Sequence, residues 1–176
     1  MAEPAKETWI QWVALTTTIF AVCAAISSLK ASSYSTKVQL YTTKEANQWA
    51  YYQAKSIKEH SYRLNRDVLT AIKLLDSKSP GAQDLLNTKI KEYSEEIARY
   101  DQEKKEIKTG AEDIIKEQET LKMHNAAFGL AVMLLQIAIM SSAVGALVKR
   151  KMLWFAGLAF GVLGMAYMAN GFFLWF

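Results

Sequence analysis

The side chains of this sequence that could do chemistry are few, and their spacing argues against most of it. The two histidines, His60 and His124, stand far apart, and no glycine-rich phosphate loop occurs. Glu92, Glu95 and Glu96 are close together but lack the alternating spacing of a calcium loop. Cys23 is the single cysteine, so neither an intramolecular disulfide nor a cysteine-based metal site can form. Gln136 lies within an apolar stretch and calls for a hydrogen-bond partner there. These residues predict no catalytic group, no metal and no cofactor, and the chain is expected not to be an enzyme.

The elements around them explain why. Of 176 residues, 51% are hydrophobic and 22% charged, which gives a mean hydropathy of zero. That average hides two populations. Residues 9–29, 125–148 and 152–176 contain no Asp, Glu, Lys or Arg, so every charged residue lies outside them. Each run reaches the roughly 20 residues that a helix needs to cross about 30 Å of hydrocarbon. Three transmembrane helices follow, the first a permanent span rather than a removed leader. The absence of ionised groups inside them argues against proton relays and charged-substrate pathways.

Residues 30–124 carry 17 Lys and Arg against 15 Asp and Glu with alternating sign, too balanced a face to collect phosphates, so no nucleic-acid partner is expected. Most of the net charge of +4 comes from Lys149, Arg150 and Lys151, a basic turn between the second and third runs. Short basic loops stay in the cytoplasm. The turn is therefore expected inside, and the polar middle outside it.

That middle is predicted to be an antiparallel two-helix coiled-coil hairpin over 30–124, with its turn near 77–83 at Ser79-Pro80-Gly81. After the turn, Leu86, Ile90, Tyr93, Ile97, Tyr100, Lys104, Ile107, Ala111, Ile114, Gln118 and Leu121 follow steps of 4 and 3. Before it, Leu40, Ala54, Ile57, Leu64, Val68 and Leu75 fall on the same spacing. Folding the chain at Pro80-Gly81 pairs small with large residues, such as Ala71 with Ile90 and Ala54 with Ile107. Lys104 is expected to snorkel out of this seam, His60 to meet Asp101 at its rim, and the ladder Lys55, Glu59, Arg63 and Asp67 to face water. Arms of roughly 40 residues would reach about 60 Å.

Trp49, Tyr52, Tyr62, Leu69, Ile72 and Ile115 fall outside that seam and are the predicted contacts between copies, because exposed aromatic patches mark interfaces. Within the apolar runs, Ala14, Thr18, Ala21 and Ala25 form a small-residue stripe, and Gly157, Gly161 and Gly164 form another. Together with Gln136 they are the candidate packing residues in lipid, where close backbone approach replaces the hydrophobic drive. The predicted segments are thus an N-terminal stretch 1–8, spans at 9–29, 125–148 and 152–176, the hairpin 30–124 and the turn 149–151.

The segments Ala14-Leu15-Thr16-Thr17-Thr18, Ala24-Ala25-Ile26-Ser27-Ser28-Leu29-Lys30, Tyr34-Ser35-Thr36-Lys37 and Asn47-Gln48-Trp49-Ala50-Tyr51-Tyr52-Gln53-Ala54-Lys55-Ser56-Ile57-Lys58 resemble an uncharacterised bacterial membrane family, domain of unknown function 4337. The resemblance covers nearly the whole chain and implies an inner membrane protein, without assigning an activity. The expected function is a homo-oligomeric membrane scaffold or spacer. The alternatives are a channel-forming or transport-accessory assembly, and a sensor or adaptor stalk that acts through another membrane protein.

Overall fold

The computed structural model describes residues 8–75 and 80–175. Three α-helices account for nearly all of them: α1 (Thr8–Leu75), α2 (Pro80–Leu147) and α3 (Lys151–Phe173). No strand occurs among the described residues. No proline interrupts any helix interior; Pro80 stands at the first position of α2, where its missing N–H has no intrahelical acceptor to lose. The predicted turn residues Ser77, Lys78 and Ser79 and the segment 1–7 lie outside the described residues. Each helix contains a window apolar enough to cross a membrane.

The boundaries drawn at residues 29–30 and 124–125 are not helix boundaries. α1 passes unbroken through Ser32-Ser33-Tyr34-Ser35-Thr36, where the Thr36 hydroxyl donates to the Ser32 carbonyl at 3.0 Å. Hydroxyls that bond their own helix in this way do not break it. α2 likewise continues through His124 and Asn125. The basic turn is tighter than expected, since Lys151 already opens α3. Lys149 adopts a left-handed conformation (φ 55°), and the amides of Lys149 and Arg150 close back onto the carbonyls of Ala146 and Gly145 at 3.3 and 3.0 Å. This double closure is the Schellman arrangement, here with lysine where glycine is usual.

The chain divides into two compact units, Met1–Leu40 with Gln118–Phe176, and Tyr41–Glu117, and α1 and α2 contribute to both. In the first unit all three helices pack together. α1 buries Val13, Phe20 and Ser27, one residue every seven, and α2 buries Phe128, Ala131, Leu135, Ala138 and Ser142. α3 buries Gly157, Gly161, Gly164, Asn170 and Gly171.

In the second unit α1 and α2 run in opposite directions, as their contacts show. Gln48 lies over Gly110, Lys55 pairs with Glu103, and the Tyr62 ring meets Tyr93 and Tyr100. The α2 stripe lies on the covered side of its helix: Ile97, Tyr100, Ile107 and Ala111 are buried, and Leu86, Ile90, Tyr93, Lys104 and Ile114 are half-buried. The α1 stripe does not. Ala54, Ile57, Leu64, Val68 and Leu75 are all exposed, Ile57 by 68% and Leu64 by 59%, and Leu40, in the other unit, is exposed too. The side of α1 turned to α2 is instead Tyr41, Glu45, Gln48, Tyr52, Lys55, Glu59, Tyr62, Arg66, Leu69 and Lys73, also spaced by 4 and 3. The stripe that α1 turns to α2 is displaced by two residues from the predicted one, Tyr52 for Ala54 and Tyr62 for Leu64. Two residues are about 200° around an α-helix, which exchanges one face for the other.

Candidate functional site

Two clusters gather the polar and close-packed residues that set this molecule apart, one in each unit.

In the second unit the contact between α1 and α2 holds charges. Glu59 is the deepest of them, its side chain only 5% exposed, and Lys104 of α2 is 16% exposed; the two form an ion pair. Arg63, one turn further along α1, sets its Nε 2.7 Å from the same carboxylate. The Lys104 hydrogen bond is the main cause holding the Glu59 carboxyl below its ordinary range, with Arg63 adding to it and desolvation opposing. Beside this group, Lys55 meets Glu103 at 2.6 Å and lies over the Tyr100 ring, while Tyr62 stacks on Tyr100 at 5.7 Å and meets Tyr93 edge-on at 5.5 Å. At the end of the unit the Tyr41 hydroxyl is held above its ordinary pKa, first by hydrogen bonding to Glu117.

The predicted roles shift accordingly. Lys104 does not snorkel to water, because Glu59 meets it within the contact. Lys55 and Glu59 belong to this contact and not to a solvated ladder. Asp101 pairs with Lys105 at 2.9 Å, and His60 stands on the exposed rim of a shallow groove with Ser56, Glu59, Arg63 and Lys104. Trp49, Tyr52, Tyr62 and Leu69, expected to meet other copies, are half-buried, and Tyr52 sits under the Lys104 ammonium. Ile115 is half-buried as well, and Ile72 alone of that set is exposed.

In the first unit the glycines of α3 act as sockets. A Cβ on Gly157 would strike the Ser142 hydroxyl and lie 2.8 Å from the Ala138 carbonyl oxygen. One on Gly161 would enter the Phe20 ring, and one on Gly164 would lie 2.8 Å from Leu135 Cγ. Gly171, seven residues past Gly164, receives the Phe128 ring in the same way. Small residues let helices approach closely in lipid, and here they admit large side chains from both neighbours.

The family model for the Domain of unknown function (DUF4337) matches residues 9–174, which takes in both clusters. The chain belongs to that family. No curated protein and no solved structure matches it.

The stripe Ala14, Thr18, Ala21 and Ala25 is exposed, as is Gln136, so these residues do not pack the helices of one chain against each other. Among the α1 residues that do are Phe20 and its neighbours Cys23 and Ala24, packed with Leu135, Ala138, Ile139 and Leu158. Glycine sockets admit bulky partners, and the residue of α1 that fills the one at Gly161 is Phe20 and not a member of the small stripe.

His124 ties all three helices at one end of the unit. Its Nδ1 lies 2.8 Å from the Gly171 carbonyl oxygen, an acceptor only, so this nitrogen carries the proton. The ring stacks on Tyr34 of α1 at 4.8 Å. Gly171 belongs to the last turn of α3, where carbonyls lack intrahelical donors, and His124 supplies one. At the opposite end the Trp154 indole donates to the Thr16 hydroxyl at 3.3 Å, and Lys151 lies over the Trp9 ring. Aromatic and cationic groups at both ends of an apolar bundle suit the two interfaces of a bilayer. Among the described residues no group of three His, Cys, Asp or Glu is placed to hold a metal ion.

Proposed function

We propose that this chain is a non-enzymatic, homo-oligomeric membrane protein of the bacterial inner membrane. Its apolar segments cross the bilayer, and residues 41–117 form a two-helix coiled-coil hairpin outside it that serves as a scaffold or spacer. The basic turn Lys149-Arg150-Lys151 favours the cytoplasmic side for that end of the bundle. The density of charge in residues 41–117 keeps them out of hydrocarbon.

One observation carries the homo-oligomeric reading. Once α1 has turned its Tyr41 to Lys73 stripe toward α2, it retains a second stripe at the same spacing: Thr43, Asn47, Ala50, Ala54, Ile57, Ser61, Leu64, Val68, Ala71 and Leu75. All ten positions are exposed and none is charged. A repeat of 4 and 3 is what one helix needs to seat against another, and scattered surface apolar residues have no reason to keep it. Copies inserted in one membrane with one orientation hold equal residues at equal depth, so the stripe meets itself in register. This moves the proposed contact between copies from Trp49 and Tyr52 to Ile57 and Leu64.

The test is native mass spectrometry of the full-length chain released gently from membranes. An oligomer is expected, and Ile57→Ser with Leu64→Ser should reduce it by at least half in subunit number while far-ultraviolet circular dichroism stays nearly unchanged. An unaltered mass would remove the stripe as the interface, and a second protein bound at fixed stoichiometry would favour an adaptor.

A further inference from the structure

Gln136 lies near the midpoint of the apolar run 125–148, and on α2 it is exposed, while Leu135 and Ala138 beside it are fully buried. Its carboxamide makes no hydrogen bond with the described residues. Around it Met133, Ile137, Met140 and Val144 are also exposed, at the 3 and 4 spacing of one helix face. A lipid-facing surface has no use for an amide at that depth, where neither water nor lipid tails offer a partner. We propose that this face of α2 is where two copies of the chain meet inside the bilayer, the Gln136 amide of each donating to the Gln136 carbonyl of the other.

The inference rests on the membrane-spanning reading above and adds a contact within the lipid. A carboxamide carries both donor and acceptor, so two glutamines related by a two-fold axis satisfy each other, as isologous contacts do. Equal orientation in one bilayer sets both at the same depth. The Thr17 and Thr18 hydroxyls of α1 differ from the Gln136 amide, since each donates to its own helix at 2.8 Å. A single polar residue within an apolar stripe fixes register between helices. The flanking methionines are flexible enough to fill the remaining space.

The test uses the full chain in membranes with Cys23 replaced by alanine. Cysteine introduced as Met133→Cys or Met140→Cys, each keeping Gln136, should give a covalent dimer under mild oxidation, and Val162→Cys on α3 should give at least tenfold less. In liposomes Gln136→Leu should weaken self-association of the chain by about tenfold, and Gln136→Asn should retain most of it. Absence of dimer at both methionine positions, or equal dimer at Val162, overturns the proposal. So does labelling of a Gln136→Cys variant by a membrane-impermeant maleimide, which would place residue 136 in water. Extraction of the protein by alkaline carbonate would overturn the membrane reading itself; retention without cross-links would overturn this contact alone.

Discussion

Replacing Gly157 by valine is expected to destabilise the three-helix unit by about 3 kcal/mol, near the upper end of what inserted bulk costs in a packed interior. The reason lies in what the new Cβ meets. At Gly157 the obstacles include the Ala138 carbonyl and the Ser142 amide, both backbone atoms of α2, so relief requires the helices to move apart. At Gly161 the obstacle is the Phe20 ring, which can rotate, and Gly161→Val should cost less. Gly129 provides the control, since a Cβ there would meet nothing within 4 Å. Gly129→Ala should therefore be neutral or stabilising by up to about 1 kcal/mol, because glycine in a helix interior is the costlier residue in conformational entropy. Unfolding of the detergent-solubilised chain in a denaturant series measures all three. Equal stability of Gly157→Val and Gly129→Ala would mean that α2 and α3 are not in close contact at Gly157.

That the glycine stripe was readable while its partners were not has a physical cause. Glycines at 157, 161 and 164 announce that something approaches closely, but a hole carries no information about which knob fills it. Matching small residues of one helix with small residues of another selects Ala14, Thr18, Ala21 and Ala25, and would pair hole with hole. The structure pairs hole with knob, Gly161 with Phe20 and Gly171 with Phe128, which leaves fewer voids.

The same difficulty explains the reversed face of α1 in the second unit. α1 has two stripes of equal period, one aliphatic and one mixed from tyrosines, charges and leucine, and apolarity alone selects the aliphatic one. The partner decides otherwise. α2 brings Tyr93, Tyr100, Glu103 and Lys104 to the contact, and against an aliphatic stripe its lysine and glutamate would have no counter-ions. Turned about 200°, α1 offers Lys55 to Glu103, Glu59 to Lys104 and Tyr62 to both tyrosines. The legible sign was that Glu103 and Lys104 in the α2 stripe both call for counter-ions, and that Lys55 and Glu59 on the second α1 stripe can supply them. The α2 stripe was legible because its aliphatic and aromatic positions share one face.

Glu59→Ala is the sharpest probe of that arrangement and is expected to cost about 3 kcal/mol, in the range for removing one partner of a buried ion pair. The cost arises less from the lost attraction than from Lys104, left 16% exposed with its anion gone. Replacing both partners by methionine should recover most of the loss, since an apolar pair of similar volume is neutral or better than a buried ion pair. The effect also has a definite pH dependence. The folded-state pKa of Glu59 lies below its unfolded value, so its contribution is fully present above about pH 4.3 and fades as pH falls through the folded value. The difference in unfolding free energy between the native chain and Glu59→Gln, followed by circular dichroism, should therefore shrink between pH 5 and the acid limit, approximately. Asp67 supplies the contrast: it is 64% exposed and pairs with its neighbour Arg66, so Asp67→Ala should change stability by less than about 0.5 kcal/mol. If Glu59→Ala and Asp67→Ala prove equally mild, Glu59 faces water, and α1 meets α2 through its aliphatic stripe. The ten exposed positions would then be spent in the contact between α1 and α2, and copies of the chain, on the homo-oligomeric proposal, would have to meet through Trp49, Tyr52 and Tyr62.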